Sequence, residues 1–185
     1  ECFLVVYADD FIAGFQYPWE AERFYEQLRS RMVKFGLELE ENKSRIVESG
    51  RYLASLKAKR GESTRLGTFD FLGFTFYCGR TTKGNPWIMP KTSSKKFRQK
   101  VKEIKIWLYN NKEQKLGKLM YMLNVKLVGH YRYYGISFNS RMISNYKQQV
   151  RELLYKVLNR RSEKKSYTRE GFIEMMKYYK LVNPK

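Results

Sequence analysis

The segment Tyr7-Ala8-Asp9-Asp10 sets two carboxylates side by side between apolar runs, CFLVV before it and FIAGF after it. Like charges that close repel, and each costs several kcal/mol to bury without a partner. A divalent hard cation is the natural compensating charge. Mg²⁺ suits the position, because it takes one or two protein carboxylates and fills its octahedron with water and substrate phosphates. Two such ions close together can activate a 3′-hydroxyl and stabilise a departing pyrophosphate. The alternative is an exposed hairpin turn with solvated aspartates, which needs no metal; the apolar flanks weigh against it.

The elements that would hold these residues can be read from periodicity. Residues 2–7 and 11–15 predict two strands around a tight turn, too apolar for an exposed hairpin, with Asp tolerating the unusual turn dihedrals. Pro18 stands at a first helical position and is followed by Glu20 and Glu22, where a helix dipole favours acids. Phe24, Leu28, Arg31, Met32 and Phe35 continue at helical spacing to a close at Gly36. LELEENKSRIV alternates as a strand, a turn at Glu41–Asn42 and a second strand. FDFLGFTFYCG is an aromatic run bent at Gly73, and RTTKGNPW turns into a short strand ending near Pro90.

After Thr92 the texture changes to long helices. One is capped at Ser93–Ser94 with Phe97, Val101, Ile104 and Leu108 on its apolar face. A second covers LGKLMYMLNVKLVGHYRYYG. A third carries Met142, Tyr146, Val150, Leu153, Leu154 and Val157, and a last helix spans roughly 169–180. This order predicts an α+β fold with a mixed first part over 1–91 and a helical second part over 92–185. Cys2 and Cys78 fall in strand patterns and read as reduced core thiols, which suits an intracellular, cytoplasmic chain. No run is long enough for a membrane span, and residues 1–6 lack the pattern of a signal peptide.

Charge is also unevenly spread along the chain. Residues 1–79 carry 11 basic and 12 acidic residues, while residues 80–185 carry 26 basic and 6 acidic, a net of +20. Self-repulsion on that scale destabilises a compact state, so a polyanion, and nucleic acid above all, is the expected partner. The three longer helices carry Lys and Arg opposite their apolar stripes. Tyr131, Tyr133 and Tyr134 read as bundle core, and His130, alone among possible metal ligands, receives no role.

YADDF in an apolar hairpin resembles the palm motif of reverse transcriptases. GLELEENKSRIVESGRY and TFDFLGFTFYCG resemble the next two blocks of bacterial group II intron reverse transcriptases, and HYRYYGISFNSRMISNYKQQV with LNRRSEKKSYTREGF resembles their thumb, or maturase X, region. The resemblance runs over nearly all 185 residues in the family's order. It implies the C-terminal part of a palm over 1–91 and a helical thumb over 92–185.

The same resemblance implies roles for particular residues. Asp9 and Asp10 would bind the catalytic Mg²⁺ ions, Tyr7 would lie near the primer terminus or the incoming dNTP, and Lys43 would neutralise or protonate the leaving pyrophosphate unless it is a solvated turn lysine. Phe71, Leu72, Gly73 and Phe74 match a primer-grip hairpin, plain core packing being the alternative for the phenylalanines. Arg132, Lys147, Arg151, Lys156, Arg160, Arg161, Lys164 and Lys165 are candidates for phosphate contacts on intron RNA, an RNA template or the RNA–DNA duplex formed with a DNA primer.

A further metal-binding carboxylate would come from a strand preceding YADD. The chain therefore reads as part of a longer polymerase that is inactive alone. The expected activity of the whole is Mg²⁺-dependent nucleotidyl transfer on an RNA template, with a maturase role in splicing and retrohoming. The competing readings are a non-catalytic RNA-binding module and a defence or CRISPR-associated reverse transcriptase. Oligomeric state is not legible.

Overall fold

The computed structural model describes residues 2–40, 43–63, 66–161 and 167–184. Its elements run β1 (Cys2–Tyr7), β2 (Asp10–Phe15), α1 (Pro18–Lys34), α2 (Arg51–Lys59), β3 (Phe69–Phe71), β4 (Phe74–Arg80), β5 (Pro86–Thr92), α3 (Ser94–Asn110), α4 (Leu116–Tyr134), α5 (Ser140–Leu158) and α6 (Arg169–Tyr178). This is an α+β chain with two small antiparallel sheets, β1-β2 and β3-β4-β5, and a helical C-terminal part. It divides into two compact units: Glu1–Leu72 with Phe76–Ile88, and Gly73–Thr75 with Met89–Lys185. Among the described residues no helix is long and apolar enough to cross a membrane.

In the first unit, β1 and β2 form a two-residue hairpin in which Tyr7 faces Asp10 and Phe3 faces Gly14. The Phe3 ring lies over Gly14 so closely that a Cβ there would collide with it. Helix α1 packs against β2, through Phe15 and Phe24 with ring centroids 5.1 Å apart. Its N-terminus is set by Pro18 and by Glu20, whose carboxylate accepts from the Tyr17 N–H at 3.2 Å. Its end is a Schellman motif, with Gly36 at φ 67°, Gly36 N–H donating to Val33 and Leu37 N–H donating to Met32. Phe24, Leu28 and Met32 form the half-buried face that the spacing predicts.

Three expectations for this unit are corrected. The β1-β2 hairpin is exposed: Phe3, Leu4, Val5, Val6 and Tyr7 all stand between 47% and 62% accessible. A two-stranded ribbon with a helix against one strand has no second layer for β1 to bury into. Cys2 is correspondingly exposed and Cys78 only half-buried, so neither is a core thiol.

The alternating segment after Gly36 forms no strand over its described residues, and the turn placed at Glu41–Asn42 lies outside them. Residues 45–48 are held to 67–68 by two isolated hydrogen bonds, Gly67 N–H to Glu48 (3.0 Å) and the Arg45 guanidinium to the Thr68 carbonyl (2.9 Å). Those bonds tether the segment without the ladder a strand requires.

The second unit has the larger core. Ser93 caps α3 by accepting from the Lys96 N–H at 3.3 Å, a contact worth about 1 kcal/mol. Ile104 and Leu108 of α3 are buried with Leu119, Met120, Leu123 and Leu127 of α4 and with Ile143, Tyr146, Val150, Leu154 and Val157 of α5. On α5 the buried stripe begins at Ile143 rather than Met142, one residue later than predicted. Strand β5 runs to Thr92, two residues past the predicted end.

Candidate nucleic-acid interface

The YADD residues sit at the β1-β2 turn. Asp10 is the first residue of β2 and Asp9 lies in the turn, both exposed to solvent. The left-handed backbone falls on Ala8, at φ 53°, not on an aspartate. The burial that would make adjacent carboxylates costly is thus missing, and the pair is solvated. Tyr7 and Asp10 share the sheet face that carries Val5 and Ile12, while Phe15, which meets α1, lies on the other face. Among the described residues no group of three or more His, Cys, Asp or Glu side chains is placed to hold a metal ion. The two oxygen-donor carboxylates suit a hard cation such as Mg²⁺ in type, and one or two protein carboxylates are what that ion takes. Lys43 is exposed, its own N–H donating to the Glu40 carbonyl at 3.0 Å.

Leu72 and Gly73 make the two-residue turn between β3 and β4, both at positive φ (50° and 79°), as a type I′ hairpin requires. Phe71 and Leu72 are half-buried. Phe74 is buried against Tyr134 (5.3 Å) and stacks on Tyr133 (6.0 Å). The Gly73 carbonyl accepts from the Ser93 N–H at 3.0 Å, and a Cβ on Gly73 would lie 3.3 Å from the Tyr134 hydroxyl. The glycine therefore lets the turn close onto the start of α3 and the end of α4.

Tyr134 and Tyr131 are buried as expected, whereas Tyr133 is 54% exposed. His130 stacks on Tyr146 at 3.7 Å, and burial, reinforced by the Lys100 charge, pushes its pKa down to about 4. Burial also raises the Tyr131 hydroxyl to about 12 and holds the Tyr146 hydroxyl above its ordinary range.

The predicted phosphate contacts separate by what they already hold. Arg132 and Lys156 project into solvent. Arg160 donates to the Tyr109 hydroxyl at 2.6 Å and lies over that ring. Arg161 donates to the Gln114 carbonyl at 2.8 Å and is half-buried, so it ties α5 to the α3–α4 turn. Lys147 hydrogen-bonds the Asn183 side chain. Arg151 lines a cleft with Lys147 and Lys180. Lys164 and Lys165 lie outside the described residues. A second group was missed individually: Lys95, Arg98, Lys102 and Lys105 recur along α3 at three- and four-residue spacing and are all exposed. That period is the signal that would have found them.

Such a surface can attract a polyanion over a broad face and make salt-dependent phosphate contacts, with few carboxylates to oppose it. Comparison with known families agrees: residues 94–179, α3 to just beyond α6, match the group II intron, maturase-specific domain. No curated protein and no solved structure matches the chain.

Proposed function

Residues 94–179 make this chain a carrier of the group II intron maturase-specific domain, and from that premise we propose that its helical unit grips the structured RNA of a group II intron and assists its splicing. The observation that carries this reading is that the family match falls within residues 80–185, the part of the sequence bearing a net charge of +20. RNA helices are recognised by shape and backbone, which a periodic array of Lys and Arg on rigid helices serves well.

The test is equilibrium binding of the purified chain to folded intron RNA and to duplex DNA of equal length, across a salt series. Tighter RNA binding with a steep negative log–log salt slope supports the reading. Equal, weak binding to both, with a shallow slope, overturns it.

The first unit extends the proposal to RNA-directed DNA synthesis in a larger polymerase. Asp9 and Asp10 would hold Mg²⁺, which when bound supplies Lewis-acid activation of a primer hydroxyl and charge neutralisation at the departing pyrophosphate. The chain's own part is to fix both carboxylates at one hairpin turn, with Tyr7 across the ladder from Asp10. The Leu72-Gly73 turn would bring backbone to the primer strand, and Lys43 would meet the nucleotide phosphates. Primer extension by a polypeptide that carries this chain together with a further palm carboxylate tests this, since Asp9→Asn should abolish it while leaving RNA binding intact. RNA binding without catalysis remains the reading if that polypeptide binds intron RNA yet extends no primer.

A further inference from the structure

The C-terminal segment is clamped onto the helical unit. Asn124 on α4 holds two of its backbone groups, donating Nδ2 to the Lys180 carbonyl at 2.9 Å and accepting from the Val182 N–H at 2.9 Å. Leu181, between them, is buried. Lys147 on α5 hydrogen-bonds Asn183 from the other side. The clamp leaves a cleft of about 660 Å³ bounded by α5, the end of α6 and this segment.

Its lining is chemically divided. Lys147, Arg151 and Lys180 bring three cations to it, and Met176 and Leu181 supply apolar surface. Gln148 offers one donor and one acceptor group on an amide. Among the described residues no carboxylate lines the cleft, and neither the Arg151 guanidinium nor the Lys180 ammonium has a protein partner. Cations left unpaired beside a preformed wall favour an anionic ligand. The volume lies in the range of small-molecule sites, and thioether and aliphatic side chains suit the flat face of a base.

We propose that this cleft is a nucleoside-phosphate site, which takes a single unpaired nucleotide extruded from bound RNA. Arg151 and Lys180 meet the phosphate, the base lies on Met176 and Leu181, and Gln148 reads its edge. This deepens the RNA-binding reading above and rests on it. A site of this kind lets a surface that otherwise reads only backbone and shape distinguish one bulged position on a helix.

The test uses three RNA hairpins: one with a bulged 2-aminopurine nucleotide, one with an abasic bulge, and one without a bulge. The bulged hairpin should bind about tenfold tighter than the bulge-free one, with 2-aminopurine fluorescence changing on binding. Gln148→Ala and Met176→Ala, checked for unchanged circular dichroism, should remove that preference while weakening bulge-free binding by no more than about threefold, whereas Arg151→Gln should weaken the bulged hairpin more than the bulge-free one. Competition by millimolar AMP would show that a free nucleotide is also accepted. A bulge preference untouched by AMP identifies the extruded nucleotide as the ligand. Equal affinity for all three hairpins, weakened equally by Arg151→Gln, would overturn the site and leave RNA binding standing. If no RNA binds but AMP does, the site stands and the RNA reading fails; if neither binds, both fall.

Discussion

Asn139 at the start of α5 and Thr92 at the end of β5, 47 residues apart in sequence, exchange two hydrogen bonds of 2.8 Å. The Asn139 Oδ1 accepts from the Thr92 N–H, and its Nδ2 donates to the Thr92 hydroxyl and to the Tyr134 carbonyl, also at 2.8 Å. Asn139 has no exposed surface and Thr92 almost none. One side chain thus fastens the end of a strand and the ends of two helices, α4 and α5, at a point water does not reach.

Removing it should be costly. Asn139→Ala leaves the Thr92 N–H buried without its partner, while the Tyr134 carbonyl keeps the Ile136 N–H at 2.9 Å, so a loss of roughly 2–3 kcal/mol is expected in urea denaturation. Thr92→Val removes only the hydroxyl contact and keeps the shape. Its expected cost is about 1 kcal/mol, and equal costs for the two variants would show that Asn139 is not the hub.

His130 should make stability depend on pH. Its pKa is lowered from the ordinary 6.5 to about 4 by burial first and the Lys100 charge second. Between those values the unfolded chain binds a proton that the folded chain does not, so acid favours unfolding. The contribution is fully present above about pH 6.5 and is lost as pH falls toward 4; because the ring is only partly buried, solvent screening holds the loss to about 1–2 kcal/mol. The groups around the ring are Tyr131, Tyr134, Tyr146 and Lys100; the tyrosines do not titrate in that window. Thermal unfolding from pH 7.5 to 4.5 should show the decline in the native sequence, and His130→Phe should flatten much of it.

The helical unit was the more legible part of the chain because its signals are local. Ser93 before an apolar 3.6-residue period marks a terminus whose hydrogen bond the structure shows, as Pro18 with Gly36 do around α1 in the first unit. Leu37 to Glu40 misled for the opposite reason. Alternation says which side chains share a face, but a strand exists only when a second backbone completes its ladder, and among the described residues none does. Helix α2 passed unnoticed because its N-cap is Gly50 at φ 123°, with no capping side chain to announce it. Asn139 drew no expectation from the sequence, because its amide bonds Thr92, 47 residues away, which no local pattern records. The exposure of β1 was illegible because apolar composition reports a preference for burial and not the presence of a covering surface.

Two neighbouring cations should behave differently when removed. Arg161 is held by the Gln114 carbonyl and is half-buried, with its Nε shielded from solvent. Arg161→Ala should lower stability by about 1–2 kcal/mol, because the carbonyl loses a charged donor. Lys156 is exposed, so Lys156→Ala should leave the melting curve in place. If Lys156 touches phosphate, its loss lowers the salt slope of RNA binding by about one unit. Measuring both quantities on both variants separates fastening from binding.

The exposed face of α3 sets binding and stability against each other. Lys95, Arg98, Lys102 and Lys105 follow one another at three or four residues, the spacing at which like charges on a helix destabilise it by about 0.2–0.5 kcal/mol per pair. Replacing Lys95, Lys102 and Lys105 with Gln relieves all three neighbouring pairs and should raise stability by up to about 1 kcal/mol at low salt. The same variant should flatten the log–log salt dependence of RNA binding by roughly two to three units, since each phosphate contact contributes a little under one. A gain in stability with an unchanged slope would mean that α3 turns away from the RNA. A reduced slope would show that the chain retains this repulsion because the polyanion relieves it on binding.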